Sequence, residues 1–193
     1  MKIFISVIVL IFSLQSWTKA DDISEFQIEG MSVGDSVLDY YTEKEIDTFQ
    51  YTFYSNSTEY KAVAITDEKF NTYEYIQVEF LTDDKNYIIQ SLSGNINMDI
   101  NSCLEEKKNL VEAVLNNSPK SKMKEYNKVK HSSEYPKSFV YKTNFTFDNG
   151  DKIRIYCLDW SDKATKREKY TDHLTLEISK KEFLDWLVNV VYN

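Results

Sequence analysis

Alternating apolar and polar residues predict six β-strands in two groups of three. In the strand predicted at residues 73–81, Ile76, Val78 and Phe80 share one face, while Gln77 and Glu79 share the other. The six predicted strands cover residues 59–65, 73–81, 87–96, 139–147, 152–159 and 173–178. Turn-forming residues separate neighbouring strands, including the Asn149-Gly150 pair, which favours a tight hairpin.

Helical spacing of apolar residues predicts three helical regions around these strands. The first region begins with a helix after Ser32, a good N-cap residue with Asp35 three positions later, and a second short helical turn is predicted at residues 43–47, where Thr42 and Glu45 repeat the capping pattern. The clearest helix covers residues 99–116, and the last follows Ser179. The apolar stripe of the long helix comprises Ile100, Cys103, Leu104, Val111, Val114 and Leu115.

These elements predict an α+β fold with the order α-βββ-α-βββ-α. The economical arrangement is an antiparallel sheet of about six strands with the helices packed on one face. The interval between residues 118 and 137 is rich in lysine and is predicted to be a long polar connection. Its residues Lys120, Lys122 and Lys124 could meet an anionic surface, or they could simply be solvated.

The first twenty residues have the order of a secretory signal peptide. Lys2 precedes an apolar run from Ile3 to Leu14, and Thr18 and Ala20 are small residues at the −3 and −1 positions of a cleavage site. The prediction is a signal peptide at residues 1–20 and one mature domain at residues 21–193, periplasmic or secreted, without a stable membrane span. An uncleaved N-terminal anchor is the alternative, although a mostly apolar run of twelve residues is short for a bilayer.

Charge argues against nucleic acid as a partner. The chain has 31 acidic and 23 basic side chains, and loss of the leader would remove two of the basic ones. A phosphate backbone would be repelled by this average field.

The two cysteines predict one disulfide bond in an oxidising compartment. Cys103 lies on the apolar stripe of the long helix and Cys157 on the apolar face of a strand. A bond between them would join helix to sheet and stabilise the fold by about 3–4 kcal/mol. Two buried free thiols are the alternative.

Candidate catalytic and binding groups are few. No motif for a nucleophile, a phosphate or a metal is present, so no cofactor and no metal site is predicted. Asp159 and Asp162 could act as paired carboxylates, with Trp160 between them as a ring for glycan stacking. Alternatively, Trp160 covers the edge of the core. His131 and His173 are expected to face solvent.

Two stretches resemble a group of small exported proteins from planktonic marine bacteria with AT-rich genomes. They are FQIEGMSVGDS at residues 26–36 and, near the C-terminus, DWSD at 159–162 followed by ISKKEFLDWL at 178–187. The resemblance spans nearly the whole mature chain and implies export. It implies no particular activity.

The sequence therefore favours an exported, monomeric binding or interaction module whose partner is an envelope protein or a glycan. A hydrolase of envelope glycan or peptidoglycan that uses Asp159 and Asp162 is the alternative function.

Overall fold

An eight-stranded antiparallel sheet organises the chain. The computed structural model describes residues 20–54, 56–131 and 134–192, so the predicted leader lies outside the described residues except for Ala20. The strands are β1 (Gln50–Tyr54), β2 (Ser57–Ile65), β3 (Tyr75–Leu81), β4 (Ser91–Asn97), β5 (Lys122–Lys130), β6 (Phe139–Thr146), β7 (Lys152–Asp159) and β8 (His173–Ser179). Their order across the sheet is β1-β2-β3-β4-β8-β7-β6-β5.

The prediction of about six strands is wrong, because two edge strands were missed. β1 forms one edge of the sheet and β5 the other. β5 runs through the segment that was predicted to be a polar connection, and nearly all of its side chains are exposed. Lysines on an edge strand discourage pairing with another chain. The lysine-rich composition therefore fits a strand at this position.

The helices are shorter and more numerous than predicted. They are α1 (Glu43–Ile46), α2 (Ile100–Asn117), α3 (Asp162–Glu168) and α4 (Lys181–Trp186), and a π-helical turn, Leu187–Val191, continues α4. Two 3-10 turns, Ile23–Glu25 and Val37–Asp39, lie near the start of the described chain. α2 confirms the predicted long helix, whereas α3 was not predicted and lies between β7 and β8, so the predicted order α-βββ-α-βββ-α is wrong.

The helix expected after Ser32 is not formed. The Ser32 amide donates to Asp35 Oδ2 at 2.8 Å, so the capping signal is used in a turn. Gly34 then has φ +98°, a left-handed conformation that ends any right-handed helix. The capping box predicted at Thr42 and Glu45 is present and starts α1.

Helical elements cover both faces of the sheet, which corrects the prediction that they share one face. α2 and the segment before β1 pack on the apolar face, where Val78, Leu92, Ile155 and Leu176 are buried. α4 and its π-helical turn pack on the opposite face against Tyr54, Tyr60 and Leu81. The C-terminal helix thus covers part of a face that is otherwise lined mainly by polar strand residues.

The predicted disulfide bond is confirmed. Cys103 of α2 and Cys157 of β7 are bonded, with their Cα atoms 5.9 Å apart, and both are fully buried. The bond therefore ties the helix to the strand beneath it. Within the described residues, no helix combines the length and apolar character needed to cross a bilayer.

Candidate functional site

A row of polar side chains crosses four neighbouring strands on the face opposite α2. Gln77 of β3 pairs in register with Ser93 of β4, which pairs with Glu177 of β8, which pairs with Arg154 of β7. Residues of one strand that are two positions apart share a face, so Glu79 lies beside Gln77 and Tyr156 beside Arg154. The strand order β3-β4-β8-β7 therefore assembles a polar patch from residues far apart in the sequence.

A cleft of about 460 Å³ opens above this patch. Its volume is within the range of small-molecule sites. The short side chain of Ser93 leaves space at its floor, and C-terminal residues together with Tyr54 form one wall. The lining residues besides those of the patch are Tyr54, His131, Val140, Lys142, Leu158, Phe183, Leu187 and Tyr192.

The wall beside Tyr54 is held by packed aromatic rings. The ring centroid of Trp186 lies 4.9 Å from that of Tyr54 and 4.6 Å from that of Tyr60. Phe183 contacts the same two tyrosines at 6.2 and 5.3 Å. Apolar burial and ring packing therefore fix α4 on the sheet.

An ion pair lies at the centre of the cleft. Arg154 donates through Nη2 to Glu177 Oε1, and the Ser179 hydroxyl donates to the same oxygen at 2.7 Å. The Glu177 side chain is 10% exposed, so the pair is largely removed from water. A buried charge pair is stable only when its remaining polar atoms are also bonded, yet Arg154 Nε has no partner.

Glu79 is the least satisfied group in the cleft. It is 4% exposed; the Gln77 amide donates to its Oε1 at 2.6 Å, and the Tyr54 hydroxyl lies 3.5 Å from the same oxygen. Its second oxygen, Oε2, is buried and has no hydrogen-bond partner. An unpaired buried carboxylate oxygen is costly, and a ligand that donates to it would remove that cost.

Burial raises the pKa of Glu79 to about 7. Repulsion by Glu177 adds to the increase, whereas the Gln77 amide, the Ser91 hydroxyl and the charge of Arg154 oppose it. Glu79 can therefore change its protonation state near neutral pH. Burial also raises the pKa of both Tyr54 and Tyr156 far above neutrality, so their hydroxyls stay protonated.

Lysines lie on the opposite side of the cleft. Lys142 Nζ lies 5.1 Å from the centre of the Tyr126 ring, and Lys124 Nζ lies 4.9 Å from the same ring. Lys124, a predicted binding residue, thus lies next to the cleft. Lys122 also lies on β5, and Lys120 pairs with Asp21 at 3.0 Å, outside the cleft.

The predicted carboxylate pair is separate from this cleft. Asp159 ends β7, and burial together with the neighbouring Asp172 raises the pKa of its carboxyl. Asp162 is exposed in the first turn of α3. Among the described residues that line the cleft, neither aspartate is present.

Trp160 belongs to an aromatic cluster at the end of β7. Its ring centroid lies 4.5 Å from those of both His131 and Tyr170, and 6.2 Å from that of Tyr135. Its indole Nε1 is buried without a partner. Three rings of the protein pack against Trp160 at this end of the strand. His131 connects the cluster to the cleft, because it also lines the cleft.

Sequence reasoning missed the residues of the cleft. Gln77 and Glu79 were placed on the outer face of their strand, but no role was assigned to that face. One signal was available: the chain has only two arginines, and Arg154 lies within a predicted strand. An arginine in the middle of a strand with buried neighbours requires a carboxylate partner nearby.

Within the described part of the chain, no three His, Cys, Asp or Glu side chains converge as metal ligands. Comparisons with protein-family models, with curated proteins and with solved structures find no match for this chain. The function proposed below therefore depends on the cleft itself.

Proposed function

We propose that this protein is an exported binding module that holds a small polar molecule in the cleft between the C-terminal helix and the polar face of the sheet. The single observation that carries the proposal is Glu79, a buried carboxyl that lines the cleft and has one oxygen without a partner. Folded proteins seldom leave such an atom unsatisfied unless it has a role.

The composition of the cleft supports a ligand site. Tyr54, Phe183 and Leu187 give an apolar wall, while Gln77 and Ser93 offer hydrogen bonds on the floor. The lining is more polar than apolar, and converging polar groups of this kind can orient a small polar ligand.

Export is part of the same proposal. It is supported by the leader-like first twenty residues, the disulfide bond and the resemblance to exported marine bacterial proteins. The disulfide bond is compatible with a periplasmic or extracellular compartment. The molecule is proposed to act as a monomer.

A second candidate function is a carboxylate-dependent glycan hydrolase. It is supported by the carboxyl pair Glu79 and Glu177 rather than by Asp159 and Asp162, which the sequence suggested. The pKa of Glu79 is raised to about 7, and Glu177 is paired with Arg154, so the two carboxyls of the cleft have different surroundings. Such a difference is typical of acid and base partners. Release of reducing sugar from peptidoglycan or polysaccharide, lost in Glu79→Gln, would favour this candidate over a binding module.

Thermal unfolding of the mature protein with a library of sugars, amino acids, amines and organic acids tests the binding proposal. A ligand of the folded state raises the unfolding temperature. We expect at least one compound to do so for the wild type and, by a smaller amount, for Ser93→Ala, which keeps the cleft open but loses a hydroxyl that can bond to the ligand. The shift should disappear in Ser93→Trp, which fills the cleft.

Backbone NMR provides the control if the tryptophan variant is unstable. A cleft ligand must perturb the amides near Gln77, Ser93, Arg154 and Glu177 in the wild type. The proposal fails if no compound stabilises the protein, or if the perturbed amides lie on the α2 face.

A further inference from the structure

We propose that the ligand of the cleft carries a protonated amine, which pairs with Oε2 of Glu79. This inference rests on the proposed binding function and specifies the chemistry of the ligand. Three features of the cleft support it: its charge balance, the single free oxygen, and the position of its lysine.

The charged groups at the centre of the cleft are not balanced. Glu79 and Glu177 bring two carboxyls, and Arg154 brings one guanidinium. The ion pair of Arg154 is with Glu177, so the Glu79 carboxylate has no cation of its own among the described residues. A ligand with one positive charge would balance the group.

Lys142 does not fill this role. It lines the cleft, but its ammonium lies over the Tyr126 ring, 5.1 Å from the ring centre. The groups that face Glu79 from the surrounding elements are Tyr54 of β1, Ser91 of β4, Glu177 of β8, and Arg154 and Tyr156 of β7. Of these, only Arg154 is a cation, and it is already paired.

The free oxygen favours an ammonium over a guanidinium. A guanidinium binds best when it donates to both oxygens of a carboxylate. Gln77 already donates to Oε1 of Glu79, which leaves Oε2 for one N–H donor. An ammonium provides a single point of charge with three donors, and the tyrosine rings of the cleft can attract the same charge.

Other ligand classes fit the cleft less well. A carboxylate or phosphate would be repelled by Glu79 and Glu177. A neutral alcohol could bond to Oε2 but would leave the excess negative charge buried. The cleft, at about 460 Å³, is also larger than an ammonium group, and Gln77 and Ser93 offer bonds to hydroxyls. A hydroxylated amine of the size of an amino sugar fits these dimensions.

Matched pairs of probes test the charge directly. Isothermal titration would compare glucosamine with glucose, galactosamine with galactose, and 1,4-diaminobutane with 1,4-butanediol. For at least one pair, we expect the wild type to bind the amine about 10–100-fold more tightly than its uncharged partner, the usual effect of a charge-assisted hydrogen bond. Glu79→Gln should lose that preference, and Glu59→Gln, a change at an exposed residue, should keep it.

Proton linkage gives an independent readout. An ammonium favours the ionised form of Glu79, so binding of an alkylamine such as 1,4-diaminobutane, which stays protonated over this range, should release a proton near neutral pH and tighten as the pH rises from about 6 to about 8. Titrations in two buffers of different ionisation enthalpy measure the released proton. Glu79→Gln should abolish the release.

The possible failures distinguish this inference from the binding proposal. Binding of a neutral or anionic compound in the cleft, while no amine binds better than its partner, would overturn the amine inference alone. Affinity for 1,4-diaminobutane that falls as the pH rises would do the same, because the diamine keeps its charge and the fall would mean that protonated Glu79 is the binding form. If no compound of any class binds, both proposals are wrong.

Discussion

Among single residues, Glu79 combines near-complete burial with an oxygen that lacks a partner. Its pKa of about 7 in the folded protein compares with an ordinary value of 4.5. Between these values, the folded state binds more protons than the unfolded state, so stability falls as the pH rises. The ionised carboxylate therefore lowers the free energy of unfolding by about 3 kcal/mol above pH 7.

Replacing Glu79 by glutamine should remove this pH dependence. The amide has nearly the same shape but does not ionise, so we expect Glu79→Gln to resemble the wild type near about pH 5 and to be more stable by up to about 3 kcal/mol near about pH 8. Urea unfolding across this range measures the difference. The control Glu59→Gln should show the same change of unfolding free energy with pH as the wild type. If the unfolding free energy of Glu79→Gln also changes with pH as in the wild type, the burial assigned to Glu79 is wrong.

The residues of the cleft also show why the site could not be read from the sequence. Arg154 and Glu177 meet because β7 and β8 are paired, and Glu79 joins them across β4. Local spacing gives the face of a strand on which a residue lies, but not which strands are neighbours. The disulfide bond was predictable because each cysteine lay on an apolar face and the chain has only these two cysteines.

At the scale of elements, burial pattern separates the strands that were predicted from those that were missed. β3, β7 and β8 are central and bury one face of apolar residues, so alternation in the sequence is clear. β1 and β5 lie at the edges and are largely exposed on both faces. An exposed edge strand needs no apolar period, so its sequence resembles that of a polar loop.

The C-terminal helix depends on Trp186 for its place on the sheet. The indole packs against Tyr54 and Tyr60, while its buried Nε1 has no partner. We therefore expect Trp186→Ala to lower the free energy of unfolding by about 3–5 kcal/mol, because it removes a buried ring. Trp186→Phe should cost less than about 2 kcal/mol, since it keeps a ring and loses no hydrogen bond.

Urea unfolding measures both variants of Trp186, and amide hydrogen exchange locates the effect. Exchange should increase first in residues 181–191, because these residues form a cluster separate from the main core. Equal losses for alanine and phenylalanine would show that the indole N–H, rather than ring packing, holds the helix.

At the scale of the whole molecule, the disulfide bond supports the strand that carries the cleft. β7 presents Cys157 to α2 on one face and Arg154 and Tyr156 to the cleft on the other. The bond closes a separation of 54 residues between helix and sheet. Because it lies on the face opposite the cleft, the bond should affect stability much more than the binding site itself.

Removing both sulfurs should therefore separate stability from binding. We expect the Cys103→Ala, Cys157→Ala double variant to lose about 3–4 kcal/mol of unfolding free energy, because its unfolded chain is no longer constrained. Urea unfolding of the oxidised wild type, the reduced wild type and the double variant measures this loss, and the last two should agree closely. At temperatures where the double variant is folded, it should bind any ligand found for the wild type with a similar affinity. If the double variant is as stable as the oxidised wild type, the disulfide bond adds nothing to the stability of a fold already fixed by its core. If the folded double variant loses binding, α2 must position β7 for the cleft.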